Sequence, residues 1–290
     1  MKRIGMVVFG LWLIIAPEAF GLDFRVAGGL GNLAFDKDRT GPLGSETFEF
    51  VYHPFGLVRL EGDYSDIISF DAGFEMDPIL RNRIITNISF NTDYVRFDIG
   101  PFMGAFNTEE KIINPGIGST LTLELPGIIF GSVSAASTLG AAVNARGDYL
   151  QEAGEIALGF WIPHVICTLS LQSRAFTEKA EGDLVIKDER LRYQLRADVF
   201  AKNVPYTVYV DIGYQSLKRS YTNIIAGQTD TDEFKSIYTG FEATFRLNSF
   251  FKLILGAEMP VYSWPEKPLK KPDRGLFFQA HTGFIVTIPE

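Results

Sequence analysis

The sequence predicts an all-β fold: a closed, antiparallel, up-and-down transmembrane β-barrel of about 14 strands. Three observations predict it. Period-two alternation of apolar and polar residues recurs along the whole chain, and that period is the mark of a strand. The polar faces carry many charges while the apolar faces are continuous, as expected of strands with lipid on one side and water on the other. The connections go long, short, long, short, with about seven long loops and six short turns. A sandwich mixes both lengths at both ends.

The clearest hairpin runs from Arg190 to Gln215. Leu191, Tyr193, Leu195, Ala197 and Val199 share one face, and Arg190, Arg192, Gln194, Arg196 and Asp198 the other. After a Pro205-containing turn, Val208, Val210, Ile212 and Tyr214 repeat the apolar face opposite Tyr209, Asp211 and Gln215.

In chain order, Lys2 and Arg3 precede an apolar run through Ala16, and Ala19-Phe20-Gly21 offers a cleavage site before Leu22. Residues 1–21 therefore read as a secretory signal peptide and 22–290 as the barrel. Residues 22–30 form the first strand. A loose Gly-rich match there (Gly29, Gly31, Ala34) lacks the following helix that a dinucleotide site needs. Residues 45–52 and 57–64 pair around a turn at His53-Pro54-Phe55-Gly56, and residues 66–80 read as a longer connection. Strands follow at 82–90, 94–106, 117–125 and 128–137, with a charged loop at 107–116. Beyond a loop at 139–148, strands 149–160 and 165–172 flank a tight turn at Trp161-Ile162-Pro163-His164. Charged or polar loops at 176–189 and 217–232 bracket the Arg190–Gln215 hairpin. Strands 235–247 and 251–257, a Pro/Lys-rich loop at 260–274, and a last strand at 276–288 complete the chain. Phe55, Phe160, Trp161, Tyr206, Phe250 and Phe251 gather at the short turns, and Tyr262 and Trp264 beside a long loop, like two interfacial aromatic girdles.

Composition narrows the function classes. The net charge of −8 gives no basic footprint for nucleic acid. The single cysteine, Cys167, excludes an intramolecular disulfide framework and a Cys-rich metal site. No cofactor or metal is expected. The only histidines are His53, His164 and His281. No Gly-x-Ser-x-Gly or zinc-type His pair accompanies them, so the chain is not expected to be an enzyme.

With its alternation, loop asymmetry and girdles, the mature chain resembles the monomeric, roughly 14-stranded bacterial outer-membrane porins. The resemblance is architectural. It implies a monomer in the outer membrane with periplasmic termini, extracellular long loops, lipid and the barrel-assembly machinery as partners, and passive diffusion of small hydrophilic solutes. One departure is the end of the chain, Thr287-Ile288-Pro289-Glu290, whose last aromatic is Phe284.

A charge on a lipid face costs roughly 2–4 kcal/mol at mid-membrane, so the charged faces should look into the lumen. The expected pore-lining set is Arg59, Glu61, Asp63, Arg96, Asp98, Glu124, Arg190, Arg192, Arg196, Asp198, Asp211, Glu242 and Arg246. Neighbouring strands carry both signs, so many of these should pair across the wall. A surface adhesin with a blocked lumen, a barrel enzyme and a secreted sandwich are the competing readings.

Overall fold

The structure is a computed structural model. It describes residues 21–35, 48–49, 52–77, 80–107, 112–139, 149–180, 184–200, 204–265 and 278–288. The signal-peptide stretch, apart from Gly21, lies outside these residues. The strands are β1 (Leu22–Gly31), β2 (Ala34–Phe35), β3 (Phe48–Glu49), β4 (His53–Asp63), β5 (Ile68–Met76), β6 (Asn82–Asn91), β7 (Val95–Asn107) and β8 (Ile112–Leu125). They continue with β9 (Ile129–Thr138), β10 (Tyr149–Ile162), β11 (Val165–Ala180), β12 (Leu184–Phe200), β13 (Tyr206–Asn223), β14 (Gln228–Arg246), β15 (Phe251–Pro265) and β16 (Gln279–Ile288). Strand β1 pairs with both β4 and β16, so fourteen strands close into an antiparallel barrel, while β2 and β3 form a separate two-stranded sheet.

The alternation of the sequence becomes the two sides of the wall. Leu169, Leu195, Val210 and Ile212 stand about half exposed on the outside, as do Leu123, Val133 and Ile156. A contiguous exposed surface this apolar is stable against lipid, not water. Aromatic rings border it at both edges. Tyr206 meets Phe245 at 6.4 Å and Phe251 meets Phe284 at 5.7 Å near the termini. At the far edge Tyr193, Tyr214, Trp264 and Tyr262 form a continuous chain of ring contacts. Cys167 is a free thiol of intermediate exposure on the same face as Leu169.

Six short connections, from 64–67 to 247–250, lie at the end of the barrel that holds both termini. Two of the seven connections at the distal end are much shorter than the sequence suggests. Strands β11 and β12 run to Ala180 and from Leu184, and β13 and β14 meet at a four-residue turn, 224–227. Most of the stretches read as loops at 176–189 and 217–232 is therefore strand. The reason is an inversion of faces. Beyond Tyr214 the outward positions turn polar (Ser216, Lys218, Ser220), while the inward positions turn apolar (Leu217, Tyr221). These strands leave the lipid and grow a small hydrophobic core of their own inside the distal mouth.

That core gathers Leu33, Phe35, Phe48, Leu80, Leu217 and Phe234, each at most 9% exposed. Phe48 bridges Phe35 (5.3 Å) and Phe234 (5.8 Å). A buried ion pair, Arg219 to Asp188 at 2.6 and 2.9 Å, lies beneath, with the Arg219 guanidinium 4.7 Å from the Phe35 ring centre. Gln151 Nε2 donates to the Leu80 carbonyl at 2.9 Å and holds that connection inward.

Four boundary expectations are corrected. His53-Pro54-Phe55-Gly56 is not a turn but the start of β4. Pro54, which has no N–H to donate, is tolerated near the start of the strand, before pairing with β5 begins at Gly56. Residues 66–80 contain the full barrel strand β5. Of residues 45–52, only 48–49 are described as strand, and they pair with 34–35 rather than with the barrel. The strand count survives because β5 takes the place assigned to 45–52. Phe55 and Trp161 are not girdle residues: Phe55 sits 6.1 Å from the His281 ring and Trp161 6.0 Å from Phe130, both inside.

Candidate functional site

The lumen is a concave, charged space, and its chemistry is set by alternation. Inward residues share the face on which side chains of non-adjacent strands meet. Glu75 on β5 binds Arg174 on β11 at 2.5 Å, six strands away around the wall. Glu75 also takes Arg83 at 2.8 Å through Nε. Asp77, just beyond β5, meets Arg190 on β12 at 3.1 Å and Arg174 at 3.6 Å. Together these residues make a belt of ion pairs across the inside of the barrel. Arg192 extends the charged array: it binds Glu258 on β15 at 3.1 Å, hydrogen-bonds Gln215 at 2.5 Å and lies 4.6 Å over the Tyr238 ring. Gly213 makes room for that ring, since a Cβ there would come within 2.7 Å of it.

Toward the termini, Arg25 on β1 reaches both carboxylate oxygens of Glu242 on β14 at 3.0 Å, and His281 on β16 meets Glu242 at 2.8 Å. This cluster borders two cavities. The smaller, about 270 Å³, is walled by Glu75, Asp77, Arg190, Arg192, Phe55 and His281. The larger, about 570 Å³, opens toward the terminal end and is walled by Glu124, Phe130, Trp161, Arg196, Asp198 and Tyr209. Arg25 and Glu242 belong to both linings.

Three comparisons with known proteins bear on this barrel. No family model matches the chain, and no curated protein matches it in sequence. Solved structures do. An outer membrane channel from Pseudomonas putida F1 has a TM-score of 0.50 at 8% identity, covering 94% of this chain and 97% of that one. OmpT, an outer membrane protein of Vibrio cholerae, gives 0.45 at 9%, covering 94% and 99%. An anion-selective porin from Comamonas acidovorans gives 0.40 at 9%, covering 93% and 99%. At such identities the likeness is one of fold, and the barrel resembles outer-membrane channels in that sense.

The residues singled out from sequence fall into three groups. Arg190, Arg192 and Glu242 make the cross-lumen contacts above. Others pair along one face of the wall. Arg59 binds Asp71 (2.7 Å) and Glu61 (2.7 Å), and Arg96 binds Asp98 (2.8 Å). Arg196 chelates Asp198 through Nε at 2.9 Å while stacking on Tyr209, and Asp211 accepts from Gln194 at 2.9 Å. The third group makes no side-chain hydrogen bond or ion pair among the described residues. Asp63 and Arg246 are exposed near the terminal rim, and Glu124 looks into the larger cavity. Arg190 does not sit at a mouth: β12 runs six residues further, to Leu184. Sequence reasoning missed Arg25, Glu75, Asp77, Arg83, Arg174 and Glu258. Arg174 continues the parity of Gln172, and Glu258 that of Gly256; extending each strand by two residues finds both.

Proposed function

We propose that the protein is a narrow bacterial outer-membrane channel for small hydrophilic solutes, with periplasmic termini. The observation that carries it is the pair of charge-lined cavities meeting at Arg25–Glu242, inside a barrel whose outside is apolar. The thirteen residues expected to line the pore act here as its polar wall, and most of their charge is neutralised in pairs. Such a lining hydrates small solutes without strongly selecting charge. The likeness in fold to an outer membrane channel supports the reading. No chemistry is assigned to the barrel: His281 holds Glu242. The channel works as a monomer inserted by the barrel-assembly machinery.

Planar-bilayer recordings of folded, heat-modifiable protein test this. Discrete openings are expected, and their absence from folded protein defeats it. A second reading has its own observation: the packed distal core around Phe35 and Phe48 sits within the distal mouth and would narrow it. A barrel that stays silent until that core is removed would place the protein in a resting, occluded form.

A further inference from the structure

The larger cavity carries features that a simple water path does not need. Its volume, about 570 Å³, falls in the range of small-molecule sites (~300–1,000 Å³). Its two guanidinium groups are already matched: Arg25 by Glu242 and Arg196 by Asp198. Glu124 alone keeps a free carboxylate there, with no side-chain partner among the described residues. Beside it is an aromatic corner. Phe130 is the cross-strand neighbour of Glu124 and meets Trp161 edge-on at 6.0 Å. The Trp161 indole N–H is buried and has no hydrogen-bond partner among the described residues, a donor of the kind that native structures rarely leave without a reason. The wall is shaped for this corner, because Phe130 lies across Gly159, where a Cβ would come within 2.1 Å of the ring. The remaining polar lining is hydroxyl: Thr122, Thr168, Thr207 and Thr244.

We propose that this cavity is a binding subsite for a neutral, polyhydroxylated solute of sugar size, an assignment that rests on the channel reading above. An apolar ring face suits the C–H surface of a sugar ring. Glu124 and the paired Arg196–Asp198 present acceptors and donors to its hydroxyls, and the absence of uncompensated positive charge disfavours anions. Trp161 is the platform and Glu124 the principal acceptor.

The test is equilibrium dialysis of the detergent-folded full chain against labelled maltose, with choline as competitor. Binding does not require an open pore, so failure of the channel reading shows separately as lack of conductance. Saturable maltose binding is expected. W161A should weaken it about tenfold and W161F much less, since a ring face remains. E124Q should weaken it less than W161A. W161F, which keeps the core volume nearly intact, guards against a W161A that fails to fold. Absence of saturable binding by folded protein, or binding that W161A and E124Q leave unchanged, overturns the assignment. Choline binding that E124Q abolishes, with maltose inert, overturns it in favour of a cationic solute.

Discussion

The buried pair Asp188–Arg219 gives the sharpest energetic prediction. Its two hydrogen bonds measure 2.6 and 2.9 Å, and the Arg219 and Asp188 side chains are 1% and 2% exposed. Replacing Arg219 alone with Met leaves a carboxylate buried beneath the distal core. Breaking such a pair from one side costs about 3–5 kcal/mol. At about 1.4 kcal/mol per factor of ten, local opening of the distal β12–β13 wall should rise by roughly 10²–10⁴-fold. Met keeps a contact with the Phe35 ring, so the loss is electrostatic rather than steric. The double replacement R219M/D188L removes both charges, and swaps of this kind are often neutral or stabilising. Amide hydrogen exchange across residues 184–190 and 216–223 reads the difference, because protection there reports local opening. Protection should fall in R219M and return in the double variant. Unchanged protection in R219M, or a double variant as unprotected as the single one, refutes the reasoning.

Four further outcomes are expected. F35A/F48A should raise single-channel conductance in planar bilayers by emptying the distal core, whereas an unchanged conductance would show that the mouth is not the narrowest point. E75Q strips Arg83 and Arg174 of their shared carboxylate, so the reversal potential in a KCl gradient should move toward anion preference. I212R places a cation on the lipid face, where it should cost about 2–4 kcal/mol in urea unfolding from liposomes; T207R, facing the larger cavity, should cost little. G213A should destabilise the barrel by about 1–3 kcal/mol in the same assay, because its Cβ would sit 2.3 Å from the Tyr193 carbonyl.

The barrel was legible in the sequence wherever both faces obeyed one rule. Leu195 outside and Arg196 inside, or Ile212 outside and Asp211 inside, announce their sides because lipid and water demand opposite chemistry. The signal fails where that demand changes. In β13, Leu217 and Tyr221 point inward and Lys218 and Ser220 outward, so the alternation reverses meaning and reads as loop. Strand β5 was hidden for another reason: Gly73 and the acidic Asp71 and Glu75, with Asp77 just past its end, lower its β signal, yet those acids are what Arg59, Arg83, Arg174 and Arg190 require. The candidate site was half legible for the same reason. Parity places each charge on a face, but it does not say that Glu75 will meet Arg174 from six strands away. That depends on closure, which joins residues 99 positions apart. Trp161 was misplaced because proximity to a turn does not distinguish a ring in the headgroups from a ring in the lumen.

The strands differ in height. β14 has 19 residues and β13 18, while β5 on the opposite side has nine and β6 ten. At ~3.3 Å per residue and a tilt near 40°, ten residues of difference raise one flank about 25 Å above the other. The wall formed by the described strands is therefore oblique, like a pipe cut on the slant. If the barrel is the channel proposed above, the wall around its distal end has a compass direction within the plane of the membrane, high on the β13–β14 side and low at β5–β6.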